Sequence, residues 1–131
     1  MTAVNTIIGD NQGGSAPDCY GAVVSGGYNL LAIDQDCNFQ ANGVTDLVGT
    51  ANQPINPLLA PLALNNNPNG PLTNALFVGS PAIAAGSPFV NASACAATDE
   101  RGVARPAQGC DIGAFQGEVP LLKLYLPLIR R

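Results

Sequence analysis

The chain has no histidine, no tryptophan and few charges: 11% of its 131 residues are charged and 5% are aromatic. Without histidine it lacks the commonest general base and the commonest metal ligand. Five Lys and Arg residues against nine Asp and Glu residues give a formal net charge of −4. Nucleic acids and anionic membranes are bound through clustered basic residues, so neither is an expected partner. We also expect no cofactor, because the glycine pairs at 13–14 and 26–27 lack the spacing of a phosphate-binding loop.

Proline decides the class of fold. Eleven prolines lie between Pro17 and Pro127, and every 15-residue window from residue 50 to residue 90 contains one. An interior proline removes a helical hydrogen bond and clashes with the preceding turn, which excludes long helices. Because 47% of the residues are hydrophobic, the chain can still form the core of one domain. The sequence therefore predicts an all-β fold, with short strands at 3–8, 22–24, 28–33, 46–49, 75–78, 81–84 and 111–115.

Four cysteines are present, Cys19, Cys37, Cys95 and Cys110. They permit three pairings, of which the spacing favours the two local ones, Cys19 with Cys37 and Cys95 with Cys110. Each would close a loop of about 15–20 residues and stabilise the fold by about 3 kcal/mol. The alternative is four buried free thiols in a cytosolic protein. With no histidine and no Cys-x-x-Cys spacing, a metal site at the cysteines is not expected.

Disulfides indicate an oxidising compartment, yet residues 1–8 lack the charged region and the long apolar stretch of a signal peptide. We therefore expect this chain to be the C-terminal piece of a longer exported protein. In the tail, Leu122, Leu124, Leu126 and Leu128 recur with a period of two. This period indicates a strand or an anchoring tail, and its run of about nine apolar residues is too short to span a bilayer.

Eight short motifs follow one another between residues 4 and 117. They are Asn5-Thr6-Ile7-Ile8 continuing to Asn11, Ser25-Gly26-Gly27-Tyr28-Asn29-Leu30-Leu31, Asp36-Cys37-Asn38-Phe39, Asp46-Leu47-Val48-Gly49, Asn56-Pro57-Leu58-Leu59-Ala60-Pro61-Leu62, Gly79-Ser80-Pro81-Ala82-Ile83-Ala84-Ala85-Gly86, Asp99-Glu100-Arg101-Gly102 with Arg105-Pro106, and Cys110-Asp111-Ile112-Gly113-Ala114-Phe115. In this order they resemble the C-terminal part of the choice-of-anchor Q family, pectate-lyase-like right-handed parallel β-helix proteins of the bacterial surface. The chain departs from the family pattern at Asn56, Asn74, Ala84 and Gln116, where the family tends to have acidic residues or histidine, which argues against ion binding there.

The resemblance implies three segments. Residues 1–50 would be the last coils of a right-handed parallel β-helix, and residues 51–117 an irregular, disulfide-stapled C-terminal cap. Residues 118–131 would be a tail that anchors the protein and contacts the cell envelope. The implied partners are the upstream β-helix coils of the same parent protein and extracellular polysaccharide or a host or cell surface. The implied location is extracellular or at the cell surface.

The function implied by the resemblance is structural: a capping module of an exported, cell-surface β-helix protein that acts as an adhesin or a carbohydrate-facing scaffold. The alternative is the C-terminal stabilising piece of a polysaccharide lyase or glycoside hydrolase of β-helix fold. Under both interpretations the isolated chain is not an enzyme. The activity of the parent protein is left open.

Two groups of polar residues are candidates for chemistry. Asp99, Arg101, Arg105 and Asp111 form the densest charge cluster, where catalysis on sugars would be sought. Asp–Arg pairs beside a disulfide are more typical of structural ion pairs, which is the role that we expect. Asp34, Asp36 and Asn38 resemble the start of a calcium loop. The EF-hand pattern fails because Phe39 and Thr45 occupy its sixth and twelfth positions, so a solvated turn is expected.

Overall fold

A computed structural model describes residues 1–15, 18–41, 45–88 and 95–121. Within these ranges the chain forms eight short strands and no α-helix, which confirms an all-β fold. The strands are β1 Thr2–Ala3, β2 Ile7–Ile8, β3 Gly21–Ser25, β4 Leu30–Leu31, β5 Cys37–Gln40, β6 Leu47–Val48, β7 Leu76–Phe77 and β8 Glu118–Val119. Accordingly, these ranges hold no helix that is long and apolar enough to cross a membrane.

The first six strands form two parallel sheets of three strands each. The first sheet has the order β1-β3-β5 and the second the order β2-β4-β6, so the chain adds one strand to each sheet in turn. Left-handed backbone turns the chain between the sheets, at Asn5 (φ 47°) after β1 and at Tyr28 (φ 58°) after β3. The sheets therefore end at β1 and β2 on one side and at β5 and β6 on the other.

The register of the second sheet aligns apolar side chains in two columns, Ile7–Leu30–Leu47 and Ile8–Leu31–Val48. Successive residues of a strand point to opposite faces, so each column belongs to one face of the sheet. Leu30 and Leu31 of the middle strand are fully buried, whereas their neighbours in the edge strands are half-buried. The second sheet is therefore covered on both faces, most completely at its middle strand.

The described residues of the range 51–121, here called the C-terminal segment, cover the face of the second sheet that carries Leu30. Leu30 and Ala32 share one hydrophobic cluster with residues of this segment, namely Ala60, Ala75, Leu76, Phe77, Ala82, Ile112 and Phe115. Inside the segment, β7 pairs in parallel with β8, and an antiparallel bridge joins Ala63 to Thr73. One core thus spans residue 50, where the sequence analysis places a segment boundary.

The C-terminal segment also contacts the first strands directly. The amide of Gly113 donates to the carbonyl of Asn5 at 3.0 Å, 108 residues away in sequence. Gly9 lies so close to the neighbouring chain that an added Cβ would come within 2.9 Å of the Ala32 Cβ and 3.4 Å of the Pro57 Cγ. A side chain at this residue after β2 would therefore collide with Ala32, next to β4, and would also press against Pro57 of the C-terminal segment.

The structure joins the cysteines in the two local pairs and leaves none of the four free. Cys19 and Cys37, with Cα atoms 5.3 Å apart, tie the loop before β3 to the first residue of β5. Cys95 and Cys110, with Cα atoms 6.8 Å apart, are both buried in the C-terminal segment. Two disulfides are typical of proteins in an oxidising compartment.

The observed strands differ from the predicted ones in several places. The strand predicted at 3–8 is interrupted by the turn at Asn5 and becomes β1 and β2. Residues 81–84 form a turn, in which the amide of Ile83 donates to the carbonyl of Ser80 at 3.2 Å. Residues 111–115 are irregular because their polar groups bond to side chains of the charged cluster. Of the predicted tail, residues 122–131 lie outside the described residues.

Candidate functional site

The charged cluster is built around Asp99, whose side chain is buried. Its Oδ1 accepts the backbone amides of Arg101 at 2.8 Å and of Val103 at 3.0 Å. Its Oδ2 accepts the amide of Gln116 at 2.9 Å and the Nε and Nη2 of Arg101 at 3.0 and 2.7 Å. Burial alone would raise the pKa of Asp99, but these hydrogen bonds outweigh it and hold the pKa below its ordinary value. The carboxylate is therefore ionised at neutral pH.

Arg101 connects three parts of the C-terminal segment. Besides its ion pair with Asp99, its guanidinium donates to the carbonyl of Gln116 at 2.8 Å and to that of Asn65 at 3.4 Å. Its Cζ lies 3.7 Å from the centre of the Phe115 ring. A cation–π contact of this kind contributes about 0.5–2 kcal/mol. The side chain, only 10% exposed, thus fixes the loop at 65 and the turn at 115–116 to Asp99.

Arg105 donates to backbone carbonyls. Its Nη1 bonds to the carbonyl of Asp111 and to the Oε1 of Gln116, both at 3.1 Å, and its Nη2 bonds to the carbonyl of Gly113 at 2.6 Å. Its Nε is buried and has no acceptor among the described residues. Burial lowers the pKa of Arg105, against the opposing charges of Asp99 and Asp111, and an arginine remains protonated in proteins.

The carboxylate of Asp111 is used by backbone amides. Its Oδ1 accepts the amide of Ala84 and its Oδ2 the amide of Gly117, each at 2.7 Å. Arg105 therefore bonds to the main-chain carbonyl of Asp111 and not to its carboxylate. Among the described residues of the cluster, the ion pair is the one between Asp99 and Arg101. Asp111 joins the turn at 81–84 to the start of β8.

Gln116 is the part of the cluster that the sequence analysis missed. Its Oε1 accepts from Arg105 at 3.1 Å and from the amide of Asp111 at 3.0 Å, while its own amide donates to Asp99. The sequence analysis identified Gln116 only as a departure from the family pattern. Its position directly after the motif that ends at Phe115 is the signal that could have placed it in the cluster.

The geometry of the cluster favours a structural role. Every carboxylate oxygen of Asp99 and Asp111 accepts at least one backbone amide. A general acid requires a raised pKa, and that of Asp99 is lowered. A carboxylate nucleophile requires an oxygen that a substrate can approach, whereas these oxygens are directed at the main chain. What the arrangement does chemically is satisfy buried loop amides.

The calcium candidate residues Asp34 and Asp36 lie in the turn that leads into β5. The carbonyl of Asp34 accepts the amide of Cys37 at 3.0 Å, and Asp36 has the left-handed backbone of a turn (φ 59°). Asp36 and Asn38 are exposed, and Asn38 lies on β5. Across the described ranges, no group of three or more His, Cys, Asp or Glu side chains is arranged to hold a metal ion.

Asn29 joins the three successive passes of the chain through the sheets. Its fully buried Oδ1 accepts the amide of Thr6 at 3.0 Å. The two hydrogens of its Nδ2 are shared among three acceptors, the carbonyl of Ala3 at 3.1 Å, Ser25 Oγ at 3.0 Å and Asp46 Oδ1 at 3.1 Å. Ala3 and Thr6 belong to the first pass (β1 and β2), Asn29 lies between β3 and β4 of the second, and Asp46 lies between β5 and β6 of the third. One side chain therefore holds the three turns between the sheets against one another.

Shallow clefts follow the edge strand β2 where it meets the C-terminal segment. Clefts of about 660 and 370 Å³ share Gly9, Leu59 and Asn74. A cleft of about 460 Å³ continues the line and shares Asn5 and Gly113 with the second one. Within the described ranges, these clefts lie between the residues around β2 and the C-terminal segment.

Comparison of the chain with models of protein families, with curated proteins and with solved structures found no match. The resemblance to the choice-of-anchor Q family therefore stays a prediction.

Proposed function

We propose that this chain is a non-enzymatic structural module. It would comprise the last coils and the C-terminal cap of a right-handed parallel β-helix protein exported to the cell surface, whose parent acts as an adhesin or a carbohydrate-facing scaffold. The observation that carries the proposal is the path of the chain, which passes three times through the same two parallel sheets in the same order. Stacked coils of a solenoid are built in this way.

The burial pattern supports stacking. The middle pass has neighbours on both sides, and Leu30, Leu31 and Val23 are at most 3% exposed. Ile7 and Leu47, in the first and third passes, are half-buried. Because the coils of a solenoid contact only their nearest neighbours, a coil without one neighbour should have this intermediate burial. The edge formed by β1 and β2 is where an upstream coil of the parent would stack.

The C-terminal segment fits the role of a cap that covers one face of the stacked strands and not the end of the stack. It covers the face that carries Leu30 and bonds to the first pass through Gly113 and Asn5. The charged cluster supports this role, because Asp99, Arg101 and Asp111 hold irregular loops together without a regular sheet. The two disulfides are consistent with export to an oxidising compartment.

A stability measurement tests the module. The thermal melt of this chain is compared with that of the chain preceded by two coils encoded upstream in the parent gene. We expect the added coils to raise the melting temperature, because nearest-neighbour stacking adds to stability. The control replaces the added coils with an unrelated soluble domain of the same length and should leave the melting temperature unchanged. Equal melting temperatures for all three proteins would contradict the proposal.

An activity assay separates this proposal from the lyase or hydrolase alternative. We expect no release of unsaturated products or reducing ends from pectin, alginate or similar glycans at high protein concentration. Turnover that disappears in Asp99→Asn at a temperature at which the thermal melt of this variant shows it folded, and that persists in Glu100→Gln, a change of the adjacent exposed acid, would identify the charged cluster as catalytic. That result would overturn the structural interpretation of the cluster.

A further inference from the structure

We propose that Asn69 is a site of spontaneous deamidation, at which the folded protein slowly gains a negative charge. Asparagine is among the thermolabile residues of proteins. The main-chain nitrogen of Gly70 would bond to the side-chain Cγ of Asn69, while the bond from Cγ to Nδ2 breaks and ammonia leaves with the amide proton of Gly70. Water then opens the resulting cyclic imide at either carbonyl, which gives aspartate or isoaspartate. Water is the only other reactant that these steps need.

The residue that follows Asn69 makes this attack easy. Glycine has no Cβ to crowd its main-chain nitrogen, and among the described asparagines Asn69 is the one that precedes a glycine. The other Asn-Gly pair of the sequence, at 42–43, lies outside the described residues. Asn56 and Asn67 precede proline, whose nitrogen carries no hydrogen to give up. The sequence therefore singles out one described position for the reaction.

The side chain of Asn69 is also available to react. Asn69 is exposed, and within the described ranges no hydrogen bond holds its side-chain amide. By contrast, the Nδ2 of Asn65 donates to the carbonyl of Thr73 and the Nδ2 of Asn74 to the carbonyl of Ala60, each at 2.8 Å. A bonded amide must leave its partner before it can be attacked, so the fold protects these two asparagines and leaves Asn69 open.

The loop favours the reactive glycine for a structural reason. Residues 67–70 form a tight turn, in which the amide of Gly70 donates to the carbonyl of Asn67 at 3.0 Å. A Cβ added at Gly70 would collide with the side chain of Asn67. The turn bond must open before the nitrogen of Gly70 can attack, and exposed loops open locally at a small cost in free energy. We therefore expect the folded chain to react, at a lower rate than the unfolded chain.

Deamidation would change both the charge and the backbone of this loop. Residues 47–98 contain no Asp, Glu, Lys or Arg, so the new carboxylate would be the single charge within that stretch. Isoaspartate carries the main chain through its own Cβ, which lengthens the turn and displaces the amide of Gly70 from the carbonyl of Asn67. Nearby in sequence, the carbonyl of Asn65 accepts from Arg101 at 3.4 Å. The reaction thus alters the loop that Arg101 holds to the charged cluster.

Peptide mapping of the aged protein tests the site. The chain with intact disulfides is incubated at mildly alkaline pH, which favours loss of the Gly70 amide proton, and a sample unfolded in guanidinium chloride serves as the clock. Chymotrypsin cleaves after large apolar residues, so cleavage after Leu64 and Leu72 releases residues 65–72, whereas the pair at 42–43 falls in another peptide. Mass spectrometry with electron-transfer fragmentation locates each exchange of NH₂ for OH and separates aspartate from isoaspartate.

Two variants assign the modification to its residue. Asn69→Gln keeps an amide but closes the corresponding, larger imide ring far more slowly. Asn52→Gln makes the same change at another exposed asparagine, which precedes Gln53, and is the matched control. We expect aspartate and isoaspartate at residue 69 in the wild type and in Asn52→Gln, and an unmodified peptide 65–72 in Asn69→Gln.

The outcomes separate this proposal from a merely unstable loop. Modification of Asn65, Asn66 or Asn67 in place of Asn69 would overturn it, as would a modified peptide 65–72 in Asn69→Gln. An Asn69 that stays intact in the folded chain after the unfolded sample has reacted would also overturn it. Reaction at residue 69 of the folded chain supports the proposal, and its rate relative to that of the unfolded sample measures the protection that the turn bond provides.

Discussion

Replacing Asp99 with asparagine removes one oxygen from the centre of the C-terminal segment and leaves the shape of the side chain nearly unchanged. If the amide oxygen keeps the bonds to the amides of Arg101 and Val103, the new NH₂ group takes the place of Oδ2. Oδ2 accepts three hydrogen bonds, from the Gln116 amide and twice from the Arg101 guanidinium. The NH₂ group can accept none of them. Arg101, only 10% exposed, then loses its counter-charge.

Breaking a buried ion pair from one side costs about 3–5 kcal/mol. A domain is typically stable by about 5–15 kcal/mol, so Asp99→Asn should remove a large share of the free energy of unfolding. For a chain of this length, the change corresponds to a melting temperature lower by about 10–20 °C. Urea unfolding and thermal melts with intact disulfides measure both quantities.

The matched control is Glu100→Gln, which neutralises the neighbouring acid. Glu100 is exposed, and its amide still donates to the carbonyl of Ala114 at 3.0 Å. We expect this variant to lie within about 0.5 kcal/mol of the wild type. If Asp99→Asn were no less stable than Glu100→Gln, the charged cluster would not tie the segment together and its structural interpretation would be wrong.

The effect should also depend on pH. Because the pKa of Asp99 is lowered in the folded chain, its contribution to stability is fully present above the unfolded pKa of about 4. It is lost as the pH falls through the lower folded pKa, where the carboxylate becomes protonated. The difference in stability between wild type and Asp99→Asn should therefore be constant near neutral pH and shrink below about pH 4.

Two further predictions concern other parts of the fold. Asn29→Ala removes a fully buried side chain that contacts four hydrogen-bonding partners, and should lower the free energy of unfolding by about 2–4 kcal/mol, measured in urea against the exposed change Gln12→Ala. A loss no larger than that of the control would mean that Asn29 does not hold the turns together. Non-reducing peptide mapping should find Cys19 linked to Cys37 and Cys95 to Cys110, and a crossed pair would contradict the structure. The double change Cys95→Ser and Cys110→Ser should lower the free energy of unfolding by about 3 kcal/mol.

The class of fold and the local disulfides followed from composition and spacing, whereas the ends of the strands did not. Strands of two residues, such as β2 and β6, are too short to display a period of two. The interruption at Asn5 depends on a left-handed backbone that asparagine adopts more readily than most residues but does not always adopt. Strand β5, which contains Cys37, was not predicted at all, because Asp36 and Asn38 around it are typical of turns.

At the charged cluster, the residue types were predictable and their partners were not. The sequence places Asp99 and Arg101 two residues apart, so their ion pair is local. The bonds from Asp111 to Ala84 and from Arg101 to Asn65 span 27 and 36 residues and depend on how the irregular loops fold. No periodic pattern marks such loops, and this is why residues 81–84 and 111–115 were predicted as strands.

The C-terminal segment covers the second sheet. Because its residues come last in the sequence, this cover sets the order in which the chain can fold. The apolar column Ile7–Leu30–Leu47 is complete once a little more than a third of the chain has been made, but Ile112 and Phe115, which cover it, are added near the end. Contacts between residues so far apart in sequence form slowly, because a long loop must close before they gain stability. During synthesis the first strands therefore keep an exposed apolar face until the C-terminal segment is added, and such a face is prone to aggregation.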